Sequence, residues 1–233
     1  MCSSDLFDRA RQRAHLQSIA PHVKGLLVPG STGDGWELGE DEAIMLLESL
    51  LPVAGALGFT TLIGVLQPDG LSMRRFIDRL VAGFGLNPKA KAESMARSGI
   101  AGFTICAPHG KKRSQAEIES TLADVLKLGW PTALYQLPQV TQNEIAPETV
   151  KKLADRFPNF YLFKDTSGAD RAALWENKPT DLFYVRGAEG DYGRWVKSGG
   201  GPYDGFLLST ANCFASELSS VLTLLDAKKT EKA

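Results

Sequence analysis

Seven short apolar runs, each followed by a longer polar or amphipathic stretch, recur along the chain and restrict the folds open to it. They are Gly25 to Pro29, Thr60 to Leu66, Gly102 to Ala107, Thr132 to Leu137, Phe160 to Lys164, Leu182 to Val185 and Gly205 to Ser209. Most are continuously apolar rather than alternating, which predicts strands covered on both faces. Between them, Glu40 to Leu51 opens with acidic residues and meets Pro52, which predicts a helix closed by the proline. Leu6 to Ser18, Glu117 to Leu128, Pro147 to Arg156 and Glu217 to Ala227 also read as helices. Repeated strand, helix, strand implies right-handed crossovers and a parallel sheet. No low-complexity linker interrupts residues 1–233, so a single α/β domain is expected over the whole chain.

An open doubly wound sheet and a closed (β/α)₈ TIM barrel both satisfy this pattern. The first strand-to-helix turn, Gly30-Ser31-Thr32-Gly33-Asp34-Gly35, lacks the glycine spacing of either dinucleotide or nucleotide phosphate loops. Polar residues instead gather at the C-terminal ends of many strands: Ser31 and Thr32, His109, Tyr135, Lys164, Glu189 and Ser209. That distribution favours the barrel.

Composition removes several function classes. Twenty-six Lys and Arg against 27 Asp and Glu leave a formal charge of −1, which gives no electrostatic reason to expect nucleic acid or a membrane surface as partner. The cysteines at 2, 106 and 213 are too scattered for a disulfide framework, which fits a reducing, cytoplasmic setting. The start of the chain does not read as a secretory signal, and no run approaches the ~18 apolar residues of a membrane span. His15, His22 and His109 show no metal-ligand spacing, so neither a metal nor an organic cofactor is expected. No Gly-x-Ser-x-Gly elbow marks a serine hydrolase.

Lys164 carries the most chemical information. It ends an apolar strand, and a lysine entering a barrel interior loses hydration and with it part of its basicity. A neutral amine can attack a ketone to form a Schiff base. The plainer alternative is an ion pair with the adjacent Asp165. Tyr135 ends the preceding strand, from where its phenol could shuttle protons to a group on Lys164. The Gly30-Ser31-Thr32-Gly33 turn offers backbone N–H groups and two hydroxyls, a concavity suited to a carboxylate or phosphate.

Gly-Ser-Thr-Gly-Asp at 30–34, Tyr-Gln-Leu-Pro at 135–138, Phe-Lys-Asp-Thr-Ser-Gly at 163–168 and Gly-Phe-Leu-Leu-Ser-Thr-Ala-Asn at 205–212 stand in order and at spacing. Together they resemble the dihydrodipicolinate synthase / N-acetylneuraminate lyase family of pyruvate-dependent class I aldolases. The resemblance runs from about Lys24 to Asn212. It implies a barrel with its site at the C-terminal face and a Schiff base between Lys164 and pyruvate or another 2-keto acid. Tyr135 would be the proton donor and acceptor. Gly30, Ser31 and Thr32 would hold the carboxylate, and Gly205, Leu207 and Ser209, with Glu189, would line the substrate. The implied partners are small molecules, a keto acid and an aldehyde, and family habit implies a homo-oligomer.

The chain also departs from the family. His109-Gly110 stands where dihydrodipicolinate synthases carry an aromatic pair, and Val140 where they carry an arginine for the second substrate's carboxylate. Both losses argue against that synthase activity. Ser31 resembles the lyase branch, which cleaves sugar acids, so a sugar-derived aldehyde is the expected partner. Gln136 replaces the usual asparagine, Asp34 the usual glutamate, and Glu189-Gly190 resembles the lyases' acidic pair only loosely. No apolar run precedes the first expected helix, a single helix follows Ala215, and Leu71 to Ala90 reads as an insertion. A barrel lacking its first strand and part of its C-terminal helical region is therefore expected, with an edge left unpaired. The alternative function is a non-catalytic homologue that binds keto acids without turnover, or an inactive fragment.

Overall fold

The computed structural model describes residues 8–229. Its strands are β1 (Gly25–Val28), β2 (Thr60–Val65), β3 (Ile100–Cys106), β4 (Thr132–Gln136), β5 (Phe160–Asp165), β6 (Phe183–Arg186) and β7 (Gly205–Phe206). They form one sheet in sequence order with every neighbouring pair parallel, as the apolar runs predict. The helices are α1 (Arg9–Ile19), α2 (Glu40–Ala56), α3 (Gly70–Gly83), α4 (Lys91–Arg97), α5 (Gln115–Leu126), α6 (Pro138–Thr141), α7 (Pro147–Arg156), α8 (Arg171–Leu174), α9 (Tyr192–Trp195) and α10 (Ala215–Asp226).

Alternation along each strand divides the sheet into two faces. Ile63, Val65, Phe103, Ile105, Leu134, Phe163 and Tyr184 meet the helices in the main core. On the other face Leu62, Ala133, Leu162 and Val185 form a separate cluster, joined by Leu27 of β1 and by Leu207 just beyond β7. Side chains from the first and last strands reach one cluster only because the sheet curls around it. Among the described residues β1 and β7 do not pair with each other, so seven strands curl without closing. The open edge agrees with the sequence expectation, and no eighth strand lies among the described residues.

One expectation needs correction. Pro52 does not end α2, which continues to Ala56 with the proline inside it. A proline here removes one backbone donor, and beyond that point Ala54, with Val53, packs into a hydrophobic cluster that offsets the loss. The chain turns instead at Gly58, whose φ of +79° suits glycine. Leu71 to Ala90, expected as an insertion, is largely helical. Most of it is α3, which buries Met73, Phe76, Ile77 and Leu80 against the main core and makes the crossover from β2 towards β3. Smaller differences follow from caps. Asp8 accepts from the Arg11 amide and starts α1, the rest of its expected first turn lying outside the described residues. Ser114 and Glu117 form a reciprocal capping box that starts α5 at Gln115. Among the described residues, no helix is long and apolar enough to cross a membrane.

Candidate active site

Strand register brings the predicted pair together. Cys106 on β3 lies opposite Tyr135 on β4, Tyr135 opposite Lys164 on β5, and Lys164 opposite Val185 on β6. The four therefore form a lateral row near the C-terminal ends of the strands. Lys164 is 8% exposed and Tyr135 3%, and the lysine Nζ sits 4.0 Å from the centre of the tyrosine ring. Asp165 makes no ion pair with Lys164 among the described residues. Adjacent strand residues point to opposite faces, and Asp165 Oδ1 accepts from the Ser167 amide at 2.8 Å.

Burial sets the electrostatics of the row. It pulls the Lys164 ammonium down to about 8, with Cys106 and Glu189 opposing the shift. The Cys106 thiol is pushed up to about 12 by the same cause and remains a thiol. Burial also raises the Tyr135 phenol, and the Thr166 and Ser31 hydroxyls beside it act in the other direction. Thr166 Oγ1 has no hydrogen-bond partner of good geometry and is free to meet a ligand atom. Space for the lysine stem comes from Gly187. A Cβ there would stand 2.1 Å from Thr166 Oγ1 and 2.8 Å from Lys164 Cε.

The turn after β1 forms one wall. Ser31–Gly33 is a single 3₁₀ turn, closed by the amides of Gly33 and Gly35 on the Gly30 carbonyl at 3.2 and 3.0 Å. Ser31 Oγ accepts from the indole N–H of Trp36, and the Trp36 ring packs 4.9 Å from that of His109. Thr32 is exposed at the lip. Above the phenol, Leu66, Leu137, Trp36 and Val140 make an apolar roof with Cys106 and Tyr135.

The remaining predicted residues lie on the opposite wall. Glu189 accepts from Ser209 Oγ at 3.0 Å, the Thr210 amide at 3.2 Å, Thr210 Oγ1 at 2.7 Å and the Tyr192 hydroxyl at 2.9 Å. Burial pushes its carboxyl up, but these bonds outweigh that effect and hold it below the usual range. Ser209 is thus tied to Glu189. Leu207 commits its N–H to the Arg186 carbonyl at 2.9 Å, leaving its own carbonyl as the main-chain group available. Gly205 lies beside Val185, one strand further from the lysine.

Sequence reading missed Thr166, Gly187, Cys106, Trp36 and a buried ion pair behind the site. Arg186 grips Asp170 through Nε–Oδ1 at 2.9 Å and Nη2–Oδ2 at 3.1 Å. Its Nη1 donates to the carbonyls of Ala188 and Gly190, on either side of Glu189. Cys106 was legible in principle, since it ends its strand as Tyr135 does. Asp170 and Arg186 are 16 residues apart across a crossover, a spacing with no local signature.

Gln136 locks the loop that carries the roof. Its side chain accepts from the Ile145 amide at 2.8 Å and donates to the Ile145 carbonyl at 3.3 Å, fully inside the protein. Gln136→Ala leaves both groups unpaired, and a loss of about 2 kcal/mol of stability is expected from urea unfolding. An unchanged midpoint would mean that water replaces the glutamine.

Comparison with known proteins places these observations. A model of the dihydrodipicolinate synthetase family matches residues 80–233, more than half of the chain. A 4-hydroxy-tetrahydrodipicolinate synthase of Streptococcus pneumoniae (strain Hungary19A-6) is 29% identical over 220 residues, covering 92% of this chain and 64% of that protein. The enzyme of the same name from Acidothermus cellulolyticus is 28% identical over 170 residues, or 70% of this chain and 48% of that one. This chain thus spans less than two thirds of the length of these relatives. In structure it resembles the 4-hydroxy-tetrahydrodipicolinate synthase of Methylacidiphilum fumariolicum SolV, with a TM-score of 0.78, 18% identity and coverage of 97% and 71% of the two chains. A Sulfolobus 2-keto-3-deoxygluconate aldolase in complex with D-KDPG gives a TM-score of 0.74 at 18% identity, covering 97% of this chain and 69% of that one. At these identities the structural likeness establishes the fold alone.

Proposed function

Because the chain belongs to the dihydrodipicolinate synthetase family, we propose that it is a class I aldolase or lyase working through a Schiff base on Lys164. The observation that carries this reading is the buried lysine, its pKa drawn to about 8, lying against Tyr135 in one lateral row. A lysine at about 8 is roughly one-tenth neutral at pH 7, about two hundred times the neutral fraction of an exposed lysine. Its lone pair attacks the C2 carbonyl of pyruvate or another 2-keto acid. The carbinolamine that forms loses water to become the imine.

Tyr135 moves the protons of these steps, giving one to the departing hydroxyl and accepting one as the enamine forms. The enamine carbon then attacks an aldehyde, making the carbon–carbon bond, and water releases the product and regenerates the amine. In the cleavage direction the same steps run backwards. The Gly30-Ser31-Thr32 turn receives the keto acid's carboxylate through its hydroxyls and amides. Glu189 stands opposite with the hydroxyls of Ser209, Thr210 and Tyr192 gathered on it, a polar wall that favours a hydroxyl-bearing, sugar-derived partner. The apolar roof containing Val140 offers no counter-charge for a second carboxylate, which disfavours dihydrodipicolinate synthesis itself.

Borohydride reduction in the presence of pyruvate, followed by peptide mass mapping, tests the reading. A reduced pyruvate adduct on the peptide containing Lys164 is expected. Its absence from folded protein would leave a barrel that binds keto acids at most. Tyr135→Phe is expected to retain keto-acid binding and to slow methyl-proton exchange of pyruvate about 100-fold or more. Exchange at the wild-type rate would remove Tyr135 from the proton transfers.

A further inference from the structure

We infer that Asp165 is held inside the protein as the neutral acid, and that this stored proton is a pH-sensitive lock on the turn between β5 and α8. Asp165 and its neighbours in register, Gln136 on β4 and Arg186 on β6, form a second lateral row. The row faces the helices, behind the one that holds Tyr135 and Lys164. All three residues are buried, and Asp165 is 0% exposed. The polar groups on either side of it are committed elsewhere. Gln136 uses both its carbonyl and its amide on Ile145. Arg186 uses Nε, Nη1 and Nη2 on Asp170 and on the carbonyls of Ala188 and Gly190. Asp165 keeps the Ser167 amide on Oδ1 at 2.8 Å, while its Oδ2 has no hydrogen-bond partner.

The cluster therefore sets two carboxylates, Asp165 and Asp170, against a single guanidinium, and Asp170 holds that guanidinium with both oxygens. An ionised oxygen without a donor is costly to bury, and a proton on it removes most of the cost. No other group around Asp165 supplies a counter-charge. Tyr203 donates its hydroxyl to Asp170 Oδ1 at 2.6 Å. Glu144 is itself an anion, paired with Arg171 at 3.3 Å, and Lys164 points to the opposite face of β5. Burial pushes the Asp165 carboxyl above the ordinary range; Ser167 acts the other way, and Asp170 and Glu144 add to the rise. Between the ordinary carboxylate value and the raised folded one, the native state binds the extra proton, so stability falls as pH rises. Once that proton is lost, the unpaired anion is driven out of the interior and the Ser167 amide loses its acceptor. The turn it releases carries Thr166, which lies with the Lys164 stem against Gly187. This last consequence, for activity, rests on the Schiff-base reading; the protonation of Asp165 does not.

Asp165→Asn tests the lock, because asparagine keeps the shape and places a neutral donor where the acid would carry its proton. Wild type and variant are compared by infrared spectroscopy at neutral pH, by urea unfolding from about pH 6 to about pH 9, and by pyruvate methyl-proton exchange. The wild type is expected to show the C=O stretch of a protonated carboxylic acid that the variant lacks. The urea midpoint of the variant should draw ahead of the wild type as pH rises. Lys164 titrates in both proteins, so the widening gap reports position 165 alone. Exchange in the wild type should fall off at alkaline pH, and the fall should move to higher pH in the variant. A missing acid band, or a constant gap between midpoints across the range, would overturn the stored proton. Alkaline limbs that coincide would overturn the lock. Infrared and unfolding need no turnover. A wild type that exchanged no pyruvate protons would thus sink the Schiff-base reading and leave those two measurements to decide on Asp165.

Discussion

Lys164→Met is expected to abolish pyruvate trapping and methyl-proton exchange while making the protein more stable. The two effects have one physical origin. Burial lowers the lysine pKa because the folded protein hydrates the ammonium poorly, and that shortfall is a cost to folding. Between a folded value of about 8 and an unfolded value near 10.4, the cost below pH 8 comes to about 3 kcal/mol at most. In the window from about pH 8 to about 10.4 the unfolded chain binds the extra proton, so wild-type stability rises with pH there. Methionine has similar length and no charge, fits beside the Tyr135 ring, and escapes the cost. The stability gain of Lys164→Met should therefore be present at pH 7 and shrink as pH passes through that window, which thermal unfolding at several pH values would show. Activity should fall by at least a thousandfold, since no other amine stands in the row to replace the nucleophile. A variant that trapped pyruvate at the wild-type rate would move the chemistry to another lysine. One that lost stability at pH 7 would show that the ammonium is better solvated than its burial implies.

The same alternation of faces explains why some of the site was legible in the sequence. Continuous apolar runs mark strands buried on both sides, and residues at corresponding strand ends fall into one row in a parallel sheet. Tyr135 and Lys164 were found by that rule. It leaves the facing of each residue open, and the register had to show that Lys164, not Asp165, points inward. Pro52 misled because a local stop signal was outweighed by burial further along α2, which only tertiary packing reveals. Gly187 and Trp36 were invisible for a related reason. One matters through the space it leaves for a side chain on another strand, the other through a single bond across a turn.

Arg186→Met is expected to cost about 3–5 kcal/mol, the largest stability loss of any single change considered for this protein. The Arg186 and Asp170 side chains are 6% and 1% exposed, so their charges face little solvent. Besides Arg186, the Tyr203 hydroxyl donates to Asp170 Oδ1 at 2.6 Å, and the guanidinium lies 4.3 Å from the centre of the Trp195 ring. Removing the arginine strands a carboxylate that one phenol cannot neutralise, and for a chain of this length the melting temperature should drop by about 10 °C. Asp170→Asn in the same molecule should recover part of the loss, because the amide carries no charge and asparagine tolerates the local φ of +54°. The consequence for chemistry follows from the two carbonyls that Arg186 also holds, at Ala188 and Gly190. Freed from them, the segment bearing Glu189 relaxes away from Lys164 and takes with it a charge that holds the lysine pKa up. The pH at which methyl-proton exchange rises should then move lower in Arg186→Met. A loss within about 1 kcal/mol of wild type would mean that water reaches Asp170 once the arginine is gone. An unshifted exchange profile in a folded variant would mean that the bonds from Ser209, Thr210 and Tyr192 hold Glu189 without the clamp.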